Sequence, residues 1–225
     1  MKNLCIIPAR GGSKRIPRKN IKPFMGKPII AFSIEAALKS ALFEEVMVST
    51  DDDEIAEVAK RFGAKVPFFR SASTSNDHAG LAEVIDEVLD TYEKGGMSFN
   101  NYCCLLSTAP FVNSDILKAT YKVFEEKGFD TLRPIVRFDY PIQRAYRMND
   151  DNQVSFMSPE YLNTRSQDLE KAYHDAGLFY WGTCNVGFKG KNWGGYVIDE
   201  STCQDIDTED DWRIAEMKYK ILNTK

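Results

Sequence analysis

The chain has 225 residues, 43% apolar and 28% charged, which favours one globular domain (1–225) with a sizeable core. Lys and Arg number 29 against 33 Asp and Glu, a net charge of −4 that argues against a surface built for nucleic acid or anionic membranes. No run approaches the roughly 20 apolar residues that span a bilayer. The N-terminus lacks a long apolar signal segment. Five cysteines without C-x-x-C spacing read as reduced thiols and not a zinc cluster, so a cytoplasmic location is expected.

Leu4-Cys5-Ile6-Ile7, closed by Pro8, has the pattern of a strand buried on both faces, and a polar glycine-containing loop follows. A helix is expected from near Pro28 to Ser40, then a strand at Val46-Met47-Val48. Thr50 and Asp53 stand at capping-box spacing for a helix through Ile55, Val58, Ala59 and Phe62 that Gly63 stops. Val66-Pro67-Phe68-Phe69 predicts a short strand, and Arg70 to Gly80 a polar loop in which His78 is polar structure. Val84, Ile85, Val88, Leu89 and Tyr92 recur with helical spacing up to Gly95-Gly96. Tyr102 to Leu106 is strand-like, and Asn113 caps a helix that turns Ile116, Leu117, Thr120, Tyr121 and Phe124 to one side. Strands separated by helices of this length imply parallel crossovers, so the expected fold is a three-layer, Rossmann-like α/β domain with a mainly parallel mixed sheet and ligands beyond its carboxyl edge. Thr131 to Phe138 is a further strand, whereas about 139–171 is irregular and reads as an inserted arm. The main domain resumes at Gly177 to Gly182, with a strand at Tyr196-Val197-Ile198 and a last helix bearing Trp212, Ala215, Tyr219 and Leu222.

Charge is unevenly spread. Arg10, Lys14, Arg15, Arg18, Lys19 and Lys22 fall in one stretch without an acid, leaving −10 on the rest of the chain. Glycine amides that approach oxygen closely, together with several cations, suit a polyphosphate. The G-x-x-x-x-G-K-[ST] and G-x-G-x-x-G patterns are absent. A solvated basic loop and a nucleic-acid patch are the other readings; the position after the first strand favours small phosphates, and the lack of interleaved aromatics counts against nucleic acid. Near the other end, Asp205 and Asp207 project to one face if extended and would suit Mg2+. Alternatively, Thr208 and Asp211 at capping spacing make this a helix start, and both roles can coexist. Asp51, Asp52 and Asp53 read as a helix N-terminus in preference to a second metal cluster.

Residues Ile6 to Asn20 (IIPARGGSKRIPRKN) closely resemble the N-terminal signature of the CMP-sialic acid synthetase (acylneuraminate cytidylyltransferase) family. Ser49-Thr50-Asp51-Asp52, the Arg70 loop and Asp205 to Asp210 resemble it too, so the likeness runs the whole length. The resemblance implies a nucleotidyltransferase fold, with CTP held by Ala9, Arg10, Gly11, Gly12, Ser13, Lys14, Lys19, Asn20 and Arg70. It also implies catalytic Mg2+ on Asp205 and Asp207, with Arg10, Lys14, Lys19 and Asp207 serving the chemistry. Where that family has L-Q-x-T-S-P-x-R, this chain has Leu105-Leu106-Ser107-Thr108-Ala109-Pro110-Phe111-Val112. Leu106 in place of a sugar-contacting glutamine suggests a less hydroxylated nonulosonic acid, because a buried apolar group rejects an unmatched hydroxyl. Tyr140 to Ala145 and Asn163 to Gly177 resemble the pseudaminic acid branch; legionaminic and sialic acid enzymes are the alternatives, and a nucleotide-binding subunit without turnover is the reading from another class. In the wider family the arm makes a homodimer and reaches the neighbouring site, which implies Arg165 for the sugar carboxylate, with Gln143, Tyr173 and His174 as further sugar contacts. Without a matching serine or cysteine motif, His174 is not read as part of a nucleophilic triad.

Overall fold

A computed structural model describes residues 1–77 and 79–224; His78 lies outside the described residues. β1 (Asn3–Pro8) is buried at every position and runs into the basic loop. That loop ends in a two-strand hairpin, β2 (Pro23–Phe24) and β3 (Lys27–Pro28), turned by Met25 and Gly26, both at positive φ. There follow α1 (Ile29–Ser40), β4 (Glu45–Ser49) and α2 (Asp53–Arg61). No strand forms at 66–69: only Lys65 bridges to Met47, and Pro67 has no N–H with which to extend the pairing. A single helical turn, α3 (Ala72–Ser75), lies within the stretch read as loop. Next come α4 (Leu81–Lys94), β5 (Asn101–Leu105) and α5 (Ser114–Lys127), the last capped as expected by Asn113, whose side chain accepts the Asp115 and Ile116 amides.

β6 (Thr131–Arg137) leads into the 139–171 stretch, which carries a small hairpin of β7 (Tyr146–Met148) and β8 (Val154–Phe156). The chain returns as β9 (Tyr173–Asp175) and β10 (Phe179–Thr183), then β11 (Trp193–Val197) and α6 (Glu209–Asn223). The main sheet has the order β11-β6-β10-β5-β1-β4, with β9 also paired to β6. β1 is parallel to β4 and β5, and β11 to β6; β10 runs antiparallel between β5 and β6. The sheet is therefore mixed and mainly parallel, as expected.

Alternation along β1 builds two cores. Cys5 and Ile7 join the cluster under α1, α2 and α5, while Leu4 and Ile6 join Ile85, Val88 and Tyr92 of α4 on the other face. A third cluster positions the site: Ile16 of the basic loop, Phe24 of the hairpin, Ile29 and Phe32 of α1, and Ile206, Trp212 and Ala215 near the C-terminus are buried together. Ile16 and Ile206 are fully buried, and each contributes on the order of 1.5–3 kcal/mol by leaving water. This cluster draws the basic loop and the aspartate pair to one place, although they lie at opposite ends of the chain.

Candidate active site

A cavity of about 590 Å³ opens over the carboxyl ends of β1 and β5. Arg10, Ser13, Lys14, Lys19, Asn20 and Arg70 of the expected nucleotide set line it, together with Arg15, Leu106, Ser107 and Thr108. The loop is fastened to the start of α2. The Gly11 amide donates to Asp51 Oδ1 at 2.8 Å, and a Cβ on Gly11 would stand 2.7 Å from Asp52 Oδ2. Asp52, not Thr50, caps α2, accepting the Ile55 amide at 3.0 Å. Arg18, in left-handed conformation at φ 55°, grips both Asp52 oxygens at 2.5 and 2.9 Å and also meets Glu54. The Arg18 hydrogen bond holds the Asp52 carboxyl below its ordinary range. The acidic triplet thus serves as a helix start and a dock for the loop. Ala9, fully within the core, carries the strand into the loop by donating its amide to Ser49 O at 2.9 Å; Gly12 has open space around its Cα.

Arg10 Nη1 lies 2.6 Å from Asp77 Oδ1, and Lys14 donates to the other oxygen of the same carboxylate. The Asn20 amide donates to Arg10 O at 2.8 Å, and its oxygen accepts the Ser107 hydroxyl at 2.8 Å; both side chains are buried. Arg70, only 9% exposed, donates to Ser49 Oγ and O at 3.1 and 2.9 Å, and burial pulls its pKa below the usual value. Sequence reasoning missed Ser107 and Asp77. The one signal for Ser107 is its place just beyond the carboxyl end of β5.

The aspartate pair meets the loop directly. Lys19 Nζ donates to Ile206 O at 2.6 Å and stands 3.6 Å from Asp207 Oδ1, while Arg15 Nη2 reaches Asp207 Oδ1 at 2.7 Å. The cap also forms: Thr208 Oγ1 accepts the Asp211 amide at 3.2 Å, and Asp211 Oδ2 accepts the Thr208 and Asp207 amides at 2.8 and 3.1 Å. Burial, then the charge of Asp207, raises the pKa of Asp205. Among the described residues no side-chain donor bonds the Asp205 carboxylate, and no group of three or more acidic, His or Cys side chains gathers as a metal cluster. The charge of Asp207 reaches Asp205, an exposed side chain, and two such carboxylates, both hard oxygen donors, fit a divalent cation such as Mg2+.

Of the expected sugar contacts, Leu106 lines the cavity; Gln143, Arg165, Tyr173 and His174 do not. Gln143 donates to Glu170 O at 3.0 Å, and Arg165 Nε to Asp168 Oδ2 at 2.7 Å. Tyr173 and His174 lie exposed on β9, with His174 Nδ1 2.9 Å from the Asp175 carbonyl oxygen.

A mixed, mainly parallel sheet with a cation-lined cleft over its strand ends is the framework of a nucleotide-handling α/β enzyme. A family model described as cytidylyltransferase matches residues 4–182, and the chain belongs to that family of nucleotidyltransferases. It is 46% identical to the pseudaminic acid cytidylyltransferase of Campylobacter jejuni subsp. jejuni serotype O:2, covering 98% of this chain and 97% of that one. It is 31% identical to the CMP-N,N'-diacetyllegionaminic acid synthase of Legionella pneumophila subsp. pneumophila, over 96% and 95% of the two chains. Its fold matches a solved CMP:2-keto-3-deoxy-manno-octonic acid synthetase at a TM-score of 0.70 and 18% identity, over 99% of each chain.

Proposed function

We propose that the chain transfers CMP from CTP to the anomeric hydroxyl of pseudaminic acid, releasing pyrophosphate. The observation that carries this reading is the meeting of the basic loop and the aspartate pair through Lys19 and Arg15, which supports cations for phosphate beside carboxylates that would hold a metal. The substrate assignment draws support from the 46% identity to a pseudaminic acid enzyme against 31% to a legionaminic one, and from Leu106 in the cavity wall.

In the proposed reaction the sugar oxygen attacks the α-phosphorus in line, the bond to the bridging oxygen breaks, and pyrophosphate departs without a covalent enzyme intermediate. Arg10, Lys14 and Lys19 balance the charge that grows on the departing oxygen, and Asn20, braced by Ser107, holds the loop that presents them. Asp205 and Asp207 would hold Mg2+, which when bound polarises the α-phosphate and eases loss of the hydroxyl proton. Positioning by Arg70 and the loop supplies much of the remaining rate.

The arm completes the proposal as the contact of a homodimer. Its exposed Tyr140, Ile142, Tyr146, Met148, Val154 and Leu162 support that role, and Arg165 would reach the sugar carboxylate in the neighbouring copy. The cytoplasmic assignment rests on five free thiols, four of them buried.

The test is pyrophosphate release with CTP and Mg2+ against pseudaminic, legionaminic and sialic acids side by side. Pseudaminic acid should show the highest kcat/KM. Turnover of sialic acid while pseudaminic acid fails overturns the substrate assignment and leaves the family standing.

A further inference from the structure

The network around Asp175 lies outside the cavity and outside the arm, yet it ends against the aspartate pair. β6 pairs with β10 at Thr131 and Leu132 and with β9 from Ile135 to Arg137, so residues 176–178 form a jog between the two partners. The jog touches the site twice. The Leu178 carbonyl accepts the Leu106 amide at 2.9 Å, and Gly177, at φ 64°, neighbours Asp205: a Cβ there would make ordinary van der Waals contact with Asp205 Cγ at 3.4 Å. A side chain at Gly177 would be strained by its backbone angle.

The Ala176 amide ties the start of the jog to Pro134 O at 3.1 Å, and one carboxylate ties its centre. Asp175 Oδ1 accepts the Gly177 amide at 2.8 Å and the Tyr180 hydroxyl at 3.3 Å, and Oδ2 lies 3.6 Å from Arg133 Nη1. Arg133 is itself fixed, its guanidinium 5.4 Å from the Tyr180 ring centroid and 4.6 Å from that of Trp193. Its Nε is buried without a hydrogen-bond partner, while its Nη1 faces the Asp175 carboxylate.

We infer that Asp175, braced by Arg133 and Tyr180, is a positioning residue that fixes the Gly177 jog and through it the Asp205 carboxylate. The inference rests on the reading of Asp205 and Asp207 as the cation-binding pair. Asp175 touches neither nucleotide nor sugar in this scheme. It sets where one metal-binding oxygen stands, in the way that residues behind a metal ligand commonly do.

The experiment uses the full chain with Asp175→Ala, Asp175→Asn and Tyr180→Phe. Mn2+ binding is followed by electron paramagnetic resonance in the presence of CTP, and kcat and KM for CTP are measured with Mg2+. Asp175→Ala should weaken Mn2+ binding and lower kcat by about 10- to 100-fold, with KM for CTP within about twofold of the parent. Asp175→Asn, whose amide oxygen still accepts the Gly177 N–H, should recover most of both losses, and Tyr180→Phe should fall between. Should Asp175→Ala melt below the assay temperature, the other two variants carry the same comparison. Unchanged Mn2+ binding in Asp175→Ala overturns the inference, or in Tyr180→Phe should the alanine variant not fold, as does a raised KM for CTP with metal binding intact. Asp205→Asn separates the two layers. If it binds Mn2+ like the parent, the metal reading fails; if it loses Mn2+ while the Asp175 variants keep it, only the positioning role fails.

Discussion

Gly11→Ala isolates the fastening of the basic loop to α2. The added Cβ would stand 2.7 Å from Asp52 Oδ2 and 3.0 Å from Asp52 Cβ, so one partner must move. Asp52 is not free to yield, because it caps α2 through the Ile55 amide and is gripped by Arg18 through both oxygens. Losing the cap costs about 1 kcal/mol. The Arg18 pair, with Arg18 39% exposed, adds about 0.5–1 kcal/mol after solvent screening. The total is about 1.5–2 kcal/mol, which in a chain of this size lowers the melting temperature by about 3–8 °C. The same displacement draws the loop off its seat and should raise KM for CTP. Gly12→Ala is the control, since nothing lies within 4 Å of the Cβ it would gain, and its stability should stay within about 0.5 kcal/mol of the parent. In an Asp52→Gly background, which removes both the carboxylate and the Cβ, the Gly11→Ala penalty should largely vanish. Thermal melts of the ligand-free protein and CTP saturation curves decide the matter. If Gly11→Ala melts with Gly12→Ala at the parental temperature, the reasoning is refuted.

Asp207→Asn should abolish Mg2+-dependent pyrophosphate release while the circular dichroism spectrum stays native; wild-type turnover would remove Asp207 from the metal role. Asp205 has its pKa raised by burial and by Asp207, so its contribution favours the fold below the ordinary Asp value and is lost as pH rises through the raised one. Asp205→Asn should therefore melt higher than the parent at pH 7 in EDTA, with the gap closing in acid, and a lower melt at pH 7 would contradict this. Ser107→Ala leaves the buried Asn20 oxygen without its donor, which should cost about 1 kcal/mol. It should also raise KM for CTP more than it lowers kcat.

β1 and β5 are legible because each is an apolar run that needs cover on both faces, and α5 because Asn113 marks its start. Val66-Pro67-Phe68-Phe69 misleads because its apolar content says nothing of the donor that Pro67 lacks. Capping spacing points to Thr50, but Asp52 wins through Arg18, a partner 34 residues away that no local pattern contains. The direction of β10 is equally hidden, since Phe179-Tyr180-Trp181 alternates alike whichever way it runs. At the site, the cations and glycines of the loop and the alternation of Asp205 and Asp207 are plain in the sequence, and the proposal gives them phosphate and a metal. Ser107 and Asp77 act only through contacts that folding creates.

The excursion from β6 to β9 leaves and re-enters the sheet at a single point. Val136 pairs with His174, and the Phe138 amide closes the circuit by donating to the Ala172 carbonyl at 3.0 Å. With both ends stapled, changing the length of the 139–171 loop alters closure entropy only logarithmically. The sheet therefore tolerates changes of length in 139–171, while the proposed dimer contact and Arg165 travel with that stretch, so its sequence can vary the partner surface and the sugar end of the site together.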